Sequence, residues 1–134
     1  NYDITLIDPR EHFATKKRFP NCKIINEWPD TALANFKLDK ATHIVTLTHD
    51  PKIDDPALIT ALKHDIGYIG SLGSKKTHHK RYERLLSLGF KEDELSRIHA
   101  PVGLNIKAKT PAEIAISILA ELTNYRRTKF NEQT

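Results

Sequence analysis

The stretch that decides the fold is Gly67-Tyr68-Ile69-Gly70-Ser71-Leu72-Gly73-Ser74-Lys75. Its apolar first part predicts a short buried strand, and its glycines and serines predict a loop. A helix is predicted next, over residues 75–88, with Tyr82, Leu85 and Leu86 spaced for one buried stripe. Strand, glycine loop and helix in this order form the unit from which parallel α/β sheets are built.

The segments on either side repeat this alternation. Upstream, the apolar and β-branched runs at residues 3–8 and 43–48 predict strands, and residues 23–26 predict a weaker one. Downstream, residues 110–113 form a capping box that starts a helix. Three more helices are predicted: around residues 31–36, from the N-cap and first-turn proline Asp55-Pro56, and from Glu92. The predicted class is α/β, a Rossmann-like, doubly wound and mostly parallel sheet, with one domain over residues 1–134.

The composition excludes several classes of protein. With 134 residues, of which 39% are hydrophobic, the chain is long enough to bury a core and too apolar for disorder. The single cysteine, Cys22, excludes a disulfide scaffold and favours a reducing, cytoplasmic setting. No apolar run is long enough to span a membrane, and a net charge of +4 is low for a nucleic-acid binder. The chain begins at Asn1 and contains no methionine, so we expect it to be truncated at its N-terminus.

Two candidate binding loops follow the strands predicted at residues 3–8 and 43–48, because ligands of parallel α/β folds bind beyond the carboxyl ends of strands. The first holds Asp8, which would hydrogen-bond a ribose hydroxyl, and Arg10, which would meet a phosphate. The alternative for Asp8 is a cap of its own turn. The second holds His49 and Asp50. The histidine would orient a ligand or transfer a proton, or else bond a loop carbonyl.

The third candidate loop is an anion cradle, because its glycines let backbone amides approach a ligand at a helix N-terminus. Its members are Gly70, Ser71, Gly73, Ser74 and Lys75. The loop lacks the spacing of a Walker motif and the three glycines of a dinucleotide fingerprint. The alternative is a tight strand-to-helix turn with a solvated basic face. The histidines are scattered or adjacent, as in His78-His79, so no metal site is predicted.

Short motifs spread in order over nearly the whole chain carry a family resemblance. They are Asp8-Pro9-Arg10 with Phe13-Ala14 and Arg18-Phe19-Pro20, Thr48-His49-Asp50-Pro51, Asp54-Asp55-Pro56-Ala57-Leu58, Tyr68-Ile69-Gly70-Ser71-Leu72-Gly73-Ser74, Ala100-Pro101-Val102-Gly103-Leu104 and Thr110-Pro111-Ala112-Glu113-Ile114-Ala115. Together they resemble the C-terminal Rossmann domain of the XdhC/CoxI family, with family-like spacing.

The resemblance implies a molybdenum-cofactor chaperone rather than an enzyme. Proteins of that family bind the molybdopterin cofactor, protect it during sulfuration and help to load it into xanthine dehydrogenase and related molybdenum hydroxylases. The implied partners are such a hydroxylase, a sulfurtransferase or cysteine desulfurase, and a second copy in a homodimer. A phosphate-bearing pterin would suit the anion cradle. The expected cofactor site comprises Asp8, Arg10, His49, Asp50, Gly70, Ser71, Gly73, Ser74 and Lys75.

Two departures from the family pattern bear on that site. The family's Gly-Leu-Asp-Ile-Gly reads Gly103-Leu104-Asn105-Ile106-Lys107 here, which predicts a changed or weakened ligand preference. The family domain also begins with a strand and a Gly-x-Gly loop that have no counterpart in this chain. That strand would lie at the centre of the sheet, between residues 3–8 and 43–48. We therefore expect an upstream segment, closure of the flanking strands, or a second chain to satisfy the backbone there.

Two other functions fit the same sequence. One is an NAD(P)-binding Rossmann oxidoreductase, although only His49 offers a catalytic group. The other is a degenerate Rossmann domain that has lost its first glycine loop and serves protein contacts alone. Binding of NAD or NADP, or of no ligand, would separate these two from the chaperone.

Overall fold

A computed structural model describes residues 2–132 of the chain, and strands and helices alternate along them. Their bounds are β1 Thr5–Ile7, β2 Lys23–Ile25, α1 Pro29–Leu33, β3 His43–Thr46, α2 Pro51–Leu62, β4 Tyr68–Ser71, α3 Lys75–Ser87, α4 Glu92–Leu95, β5 Ile98–His99 and α5 Pro111–Glu132. Every strand pair is parallel, so the predicted α/β class is confirmed. The two-residue strand β5 was not predicted, because so short a segment has no periodicity to read.

The strands form two separate sheets. The small sheet pairs β1 with β2, with Leu6 opposite Ile24. The large sheet has the order β3-β4-β5, with Ile69 of β4 opposite Ile44 on one side and Ile98 on the other. The doubly wound sheet predicted from the sequence is thus interrupted between β1 and β3.

The interruption lies where the sequence lacks a central strand. Within residues 2–132 no strand pairs with either β1 or β3 on the facing edge, so closure of the flanking strands, one of the three alternatives, does not occur among these residues. An aromatic contact at one end and an electrostatic interaction at the other nonetheless link the segments that flank the interruption. The ring of Tyr2, just before β1, meets the ring of His43 edge to face at 5.9 Å. At the carboxyl ends, Arg10 interacts electrostatically with Asp50.

The main core lies between the large sheet and helices α2, α3 and α4. Its central side chains, Leu58, Ile69, Leu85 and Leu95, are at most 1% exposed. A second cluster joins Tyr68 and Val102 to Leu122, through which α5 packs on the other side of β4. Within residues 2–132, no helix is long and apolar enough to cross a membrane.

Helix α2 begins earlier than predicted. Asp50 is its N-cap and accepts a hydrogen bond from the backbone amide of Lys52, and Pro51 is the first helical residue. The predicted start at Asp55-Pro56 is wrong, and Pro56 lies inside the helix. Both Asp-Pro pairs suit a helix start, but the earlier one adds Ile53 to the buried face, where it is only 3% exposed.

The capping box of α5 is confirmed. The hydroxyl of Thr110 accepts a hydrogen bond from the Glu113 amide, and the Glu113 carboxylate accepts one from the Thr110 amide. Backbone hydrogen bonds from Thr110 and Lys109 hold the pKa of Glu113 below its usual range. Reciprocal capping of this kind fixes where the helix begins.

Candidate functional site

Three loops follow the carboxyl ends of β1, β3 and β4, and each contains residues predicted to bind a ligand. We refer to residues 8–10 as the first loop, residues 48–50 as the second and residues 72–74 as the third. In parallel α/β folds these ends share one edge of the sheet, which is where ligands bind.

The first loop is held by an ion pair between Asp8 and Arg10. Asp8 is buried, and its carboxylate accepts hydrogen bonds from the backbone amide, Nε and Nη2 of Arg10, at 2.9 to 3.0 Å. Burial opposes ionisation of Asp8, but the hydrogen bonds from Arg10 outweigh it and hold its pKa below the usual range. The guanidinium also lies over the ring of Phe13, at 4.5 Å. Both predicted binding groups of this loop are therefore engaged with each other.

The second loop is organised by a carboxylate that the sequence argument did not single out. Asp54 is only 2% exposed, and its oxygens accept hydrogen bonds from the Thr48 hydroxyl at 2.7 Å and the His49 amide at 3.1 Å. This holds His49 at a φ of 64°, in the left-handed region, with its side chain exposed. Asp50 caps α2. The spacing that would have revealed Asp54 is an acid in the first turn of a helix that starts at Pro51.

The third loop enters α3 through a glycine that its conformation requires. Gly73 has a φ of 143°, which side-chain-bearing residues rarely adopt, and a Cβ there would lie 3.2 Å from Cγ2 of Thr77. Ser74 is the N-cap, and its hydroxyl accepts a hydrogen bond from the Thr77 amide. Lys75, the first helical residue, is exposed. Among the described residues, the amides of Lys75 and Lys76 have no acceptor, as is usual in a first helical turn.

Gly70 and Ser71 lie inside β4 rather than in the loop. A Cβ on Gly70 would lie 2.5 Å from Cγ2 of Val102 and 2.9 Å from Cε1 of Tyr68, so the core requires a glycine there. Ser71 is fully buried, and its hydroxyl lies 2.6 Å from that of Thr46 in the neighbouring strand. We refer to these two residues, both buried in β4, as the floor.

Arg81 is the buried charge nearest the third loop, and sequence reasoning missed it. It lies on the inner face of α3, is 2% exposed, and donates from Nη2 to the Leu72 carbonyl oxygen at 3.4 Å. Burial lowers its pKa, although Asp54 and Asp55 oppose that shift. The signal in the sequence that could have revealed Arg81 was spacing, since residue 81 lies on the same face of α3 as Leu85, four residues on. Leu86, which the sequence predicted to be buried, is instead 37% exposed.

Charge concentrates at this edge of the sheets. Asp8 raises the pKa of Arg10 most, and Asp50 and Asp54 raise it further. Across the described residues, no group of three or more His, Cys, Asp or Glu side chains is arranged to hold a metal ion. The arrangement offers helix amides, glycine and fixed cations, which bind anions and hold polar groups in place.

The loop after β5, in which the sequence departs from the family pattern at residues 103–107, contains one strained residue. Lys107 has a φ of 61°, in the left-handed region, at the position where the resembled family has glycine. The loop joins the large sheet because the Val102 amide donates to the Ser71 carbonyl oxygen at 3.0 Å. The change to lysine therefore costs backbone strain in this loop.

The chain is similar to several known proteins. The family model of the XdhC Rossmann domain matches residues 1–122. The molybdenum cofactor insertion chaperone PaoD of Escherichia coli (strain K12) is 37% identical over 95 residues, which are 71% of this chain and 30% of that protein. A probable xanthine dehydrogenase subunit from Bacillus subtilis (strain 168) is 31% identical over 127 residues, 94% of this chain and 36% of that protein.

A solved structure agrees with this. A crystal structure described as a xanthine dehydrogenase from Bacillus halodurans superposes with a TM-score of 0.79 at 34% identity, over 95% of this chain and 36% of that one. The chain thus spans about a third of the length of each of these relatives. The likeness confirms the predicted Rossmann-like fold.

Proposed function

The chain belongs to the XdhC Rossmann domain family, and on that premise we propose that it binds a molybdopterin-type molybdenum cofactor during the maturation of molybdenum hydroxylases such as xanthine dehydrogenase. In this proposal it is an accessory cofactor-binding protein and not an enzyme. A relative that inserts molybdenum cofactor and one described as a xanthine dehydrogenase subunit support it.

The observation that carries the proposal is the third loop at the start of α3. Gly73 adopts a φ of 143° just before Ser74, the N-cap of α3, and the amides of Lys75 and Lys76 in the first turn have no acceptor among the described residues. A helix N-terminus with free amides favours an anion, and the molybdopterin cofactor carries a phosphate. The residues present therefore fit the phosphate end of the cofactor.

The predicted site residues take different roles in this proposal. Gly73, Ser74 and Lys75 hold the phosphate, while Gly70 and Ser71 form the packed floor beneath it. His49, exposed on the second loop, and the Asp8–Arg10 pair of the first loop orient polar groups of the ligand, and Asp50 fixes the second loop by capping α2. When bound, the cofactor supplies the molybdenum chemistry, and this chain supplies binding and orientation.

The proposal includes partners and a location. A molybdenum hydroxylase receives the cofactor, a sulfurtransferase or cysteine desulfurase supplies its sulfur, and the chain works as a homodimer in the cytoplasm. A reducing compartment suits the free thiol of Cys22.

The test is equilibrium binding of the purified chain to molybdenum cofactor released anaerobically from a molybdoenzyme, with NAD and NADP in parallel. We expect the double variant Ser74→Ala, Lys75→Ala to weaken cofactor binding about tenfold, because charge-assisted hydrogen bonds are lost. The control is Lys63→Ala, which removes an exposed lysine at the C-terminal end of α2. A folded chain with no affinity for the cofactor would contradict the proposal.

The other two functions are outcomes of the same experiment. Preferential binding of NADP would favour the oxidoreductase, although Asp8, the acid suited to a ribose, is already bonded to Arg10. Binding of no ligand would favour a domain for protein contacts. One observation supports that reading: Ile116 and Leu119 on α5 are 59% and 52% exposed.

A further inference from the structure

A buried cation without a full set of partners lies beneath the third loop. Arg81 is 2% exposed, and its Nε and Nη1 atoms have no hydrogen-bond acceptor among the described residues. Its single hydrogen bond, from Nη2 to the Leu72 carbonyl oxygen, is long at 3.4 Å. Buried arginine is normally paired, since an uncompensated charge is costly in the interior.

The carboxylates nearest to Arg81 are committed elsewhere. Asp54 accepts hydrogen bonds from Thr48 and His49. Asp55 accepts two from Arg84, at 2.8 and 3.2 Å. Both attract Arg81 through space, but neither is hydrogen-bonded to it. An internal ion pair therefore does not explain why an arginine stands at this position.

Gly73, in the third loop, lies close to the guanidinium of Arg81. A Cβ at Gly73 would lie 3.8 Å from Nη2 of Arg81 and 3.2 Å from Cγ2 of Thr77, so a narrow gap bordered by Thr77, which we call the Gly73 notch, lies beside the guanidinium. The amides of Lys75 and Lys76, which follow Gly73 in the first turn of α3, have no acceptor among the described residues. A phosphate group has oxygens for both the amides and the guanidinium, which binds such groups through several N–H donors.

From this geometry we infer that Arg81 is an anion-binding residue, which pairs through the Gly73 notch with a phosphate seated on the N-terminus of α3. The ligand class is a phosphomonoester, and the inference rests on the proposed function in that the cofactor's phosphate is its expected source. Arg81 would thus supply the permanent charge of the site, and the exposed Lys75 would add to it.

The experiment titrates inorganic phosphate against chloride at constant ionic strength, using the whole chain, Arg81→Met and the control Lys80→Met. The control removes the same charge from the neighbouring, exposed position on α3. We expect Arg81→Met to weaken phosphate binding by about tenfold or more, because a charge-assisted hydrogen bond is lost. Lys80→Met should stay within about twofold of the parent. Unchanged phosphate affinity in folded Arg81→Met would overturn the inference.

A second measurement needs no variant that must fold. In the parent chain, the NMR resonance of the Arg81 Nε–H group should shift with phosphate and saturate together with the amides of Gly73 and Lys76. If those amides shift while the Arg81 resonance stays fixed, the inference fails.

Titrations of the molybdenum cofactor and of NADP with the parent chain and Arg81→Met identify the source of the phosphate and separate this inference from the proposed function. Cofactor binding that Arg81→Met leaves unchanged overturns the role of Arg81 and keeps the chaperone. Phosphate binding through Arg81 without any cofactor binding keeps the anion site and overturns the chaperone. Binding of NADP that depends on Arg81 also supports the anion site, and it assigns the phosphate to a nucleotide.

Discussion

The small and the large sheet differ in burial, chiefly because the large sheet has a central strand, β4, and the small sheet has none. Every residue of β4 is buried, whereas β1 is half-buried throughout and β2 begins with an exposed lysine. Ile4, beside β1, and Leu47, beside β3, are 58% and 49% exposed next to the interruption between the sheets. The comparison teaches that an apolar strand is buried only where neighbours cover both its edges and its faces.

The largest expected difference between the sheets is in their cores. Leu58→Ala, beneath the large sheet, should lower the free energy of unfolding by about 3 kcal/mol, because the side chain is fully buried and leaves a cavity. The matched change Leu6→Ala in the half-buried β1 should cost only about 1 kcal/mol. Urea denaturation of both variants measures this, and equal losses would show that the sheets contribute alike.

The next prediction sharpens the difference between floor and loop. Gly70→Ala should destabilise the chain by about 2 kcal/mol, because the added Cβ meets Val102 and Tyr68 in a packed core. Thermal denaturation without ligand measures it. A variant that keeps its stability and loses only ligand binding would show that Gly70 belongs to the binding loop instead.

Beside the small sheet, the loop after β1 is stabilised by the ion pair between Asp8 and Arg10 rather than by a buried apolar core. Asp8→Asn should cost about 1 kcal/mol at neutral pH, since Arg10 is 36% exposed and water screens the pair. Because the folded pKa of Asp8 is lowered, its contribution is full above about pH 4, the unfolded pKa, and is lost as pH falls through the folded value. Denaturation of parent and variant from pH 7 to pH 2 tests this. A stability gap that is constant with pH would contradict it.

The smallest effect concerns the strained loop that joins the large sheet after β5. Lys107→Gly should stabilise the chain by about 0.5 kcal/mol, because glycine relieves left-handed strain but gains freedom in the unfolded state. A small rise in melting temperature is the expected result. A fall would mean that the lysine side chain makes a contact worth more than the strain.

Local sequence signals predicted many elements but misplaced some of them. The Thr110–Glu113 capping box and the start of α3 at Lys75 stand where the sequence predicted them, because helix starts depend on residues within one turn. The start of α2 was wrong, since two Asp-Pro pairs offered the same local signal and burial of Ile53 decided between them. The candidate loops were found because strand ends mark ligand edges in this class of fold.

The sequence by itself determined the α/β class, the order of strands and helices apart from β5, the family resemblance and the three loops, because these follow from periodicity and nearby residues. Only the tertiary structure decided that the sheet is interrupted, that Asp8 is closed by Arg10, and that Asp54 and Arg81 lie buried at the site. The physical reason is the separation along the chain of the residues that interact. Burial and pairing depend on atoms far apart in the chain, and no local pattern encodes which of them meet.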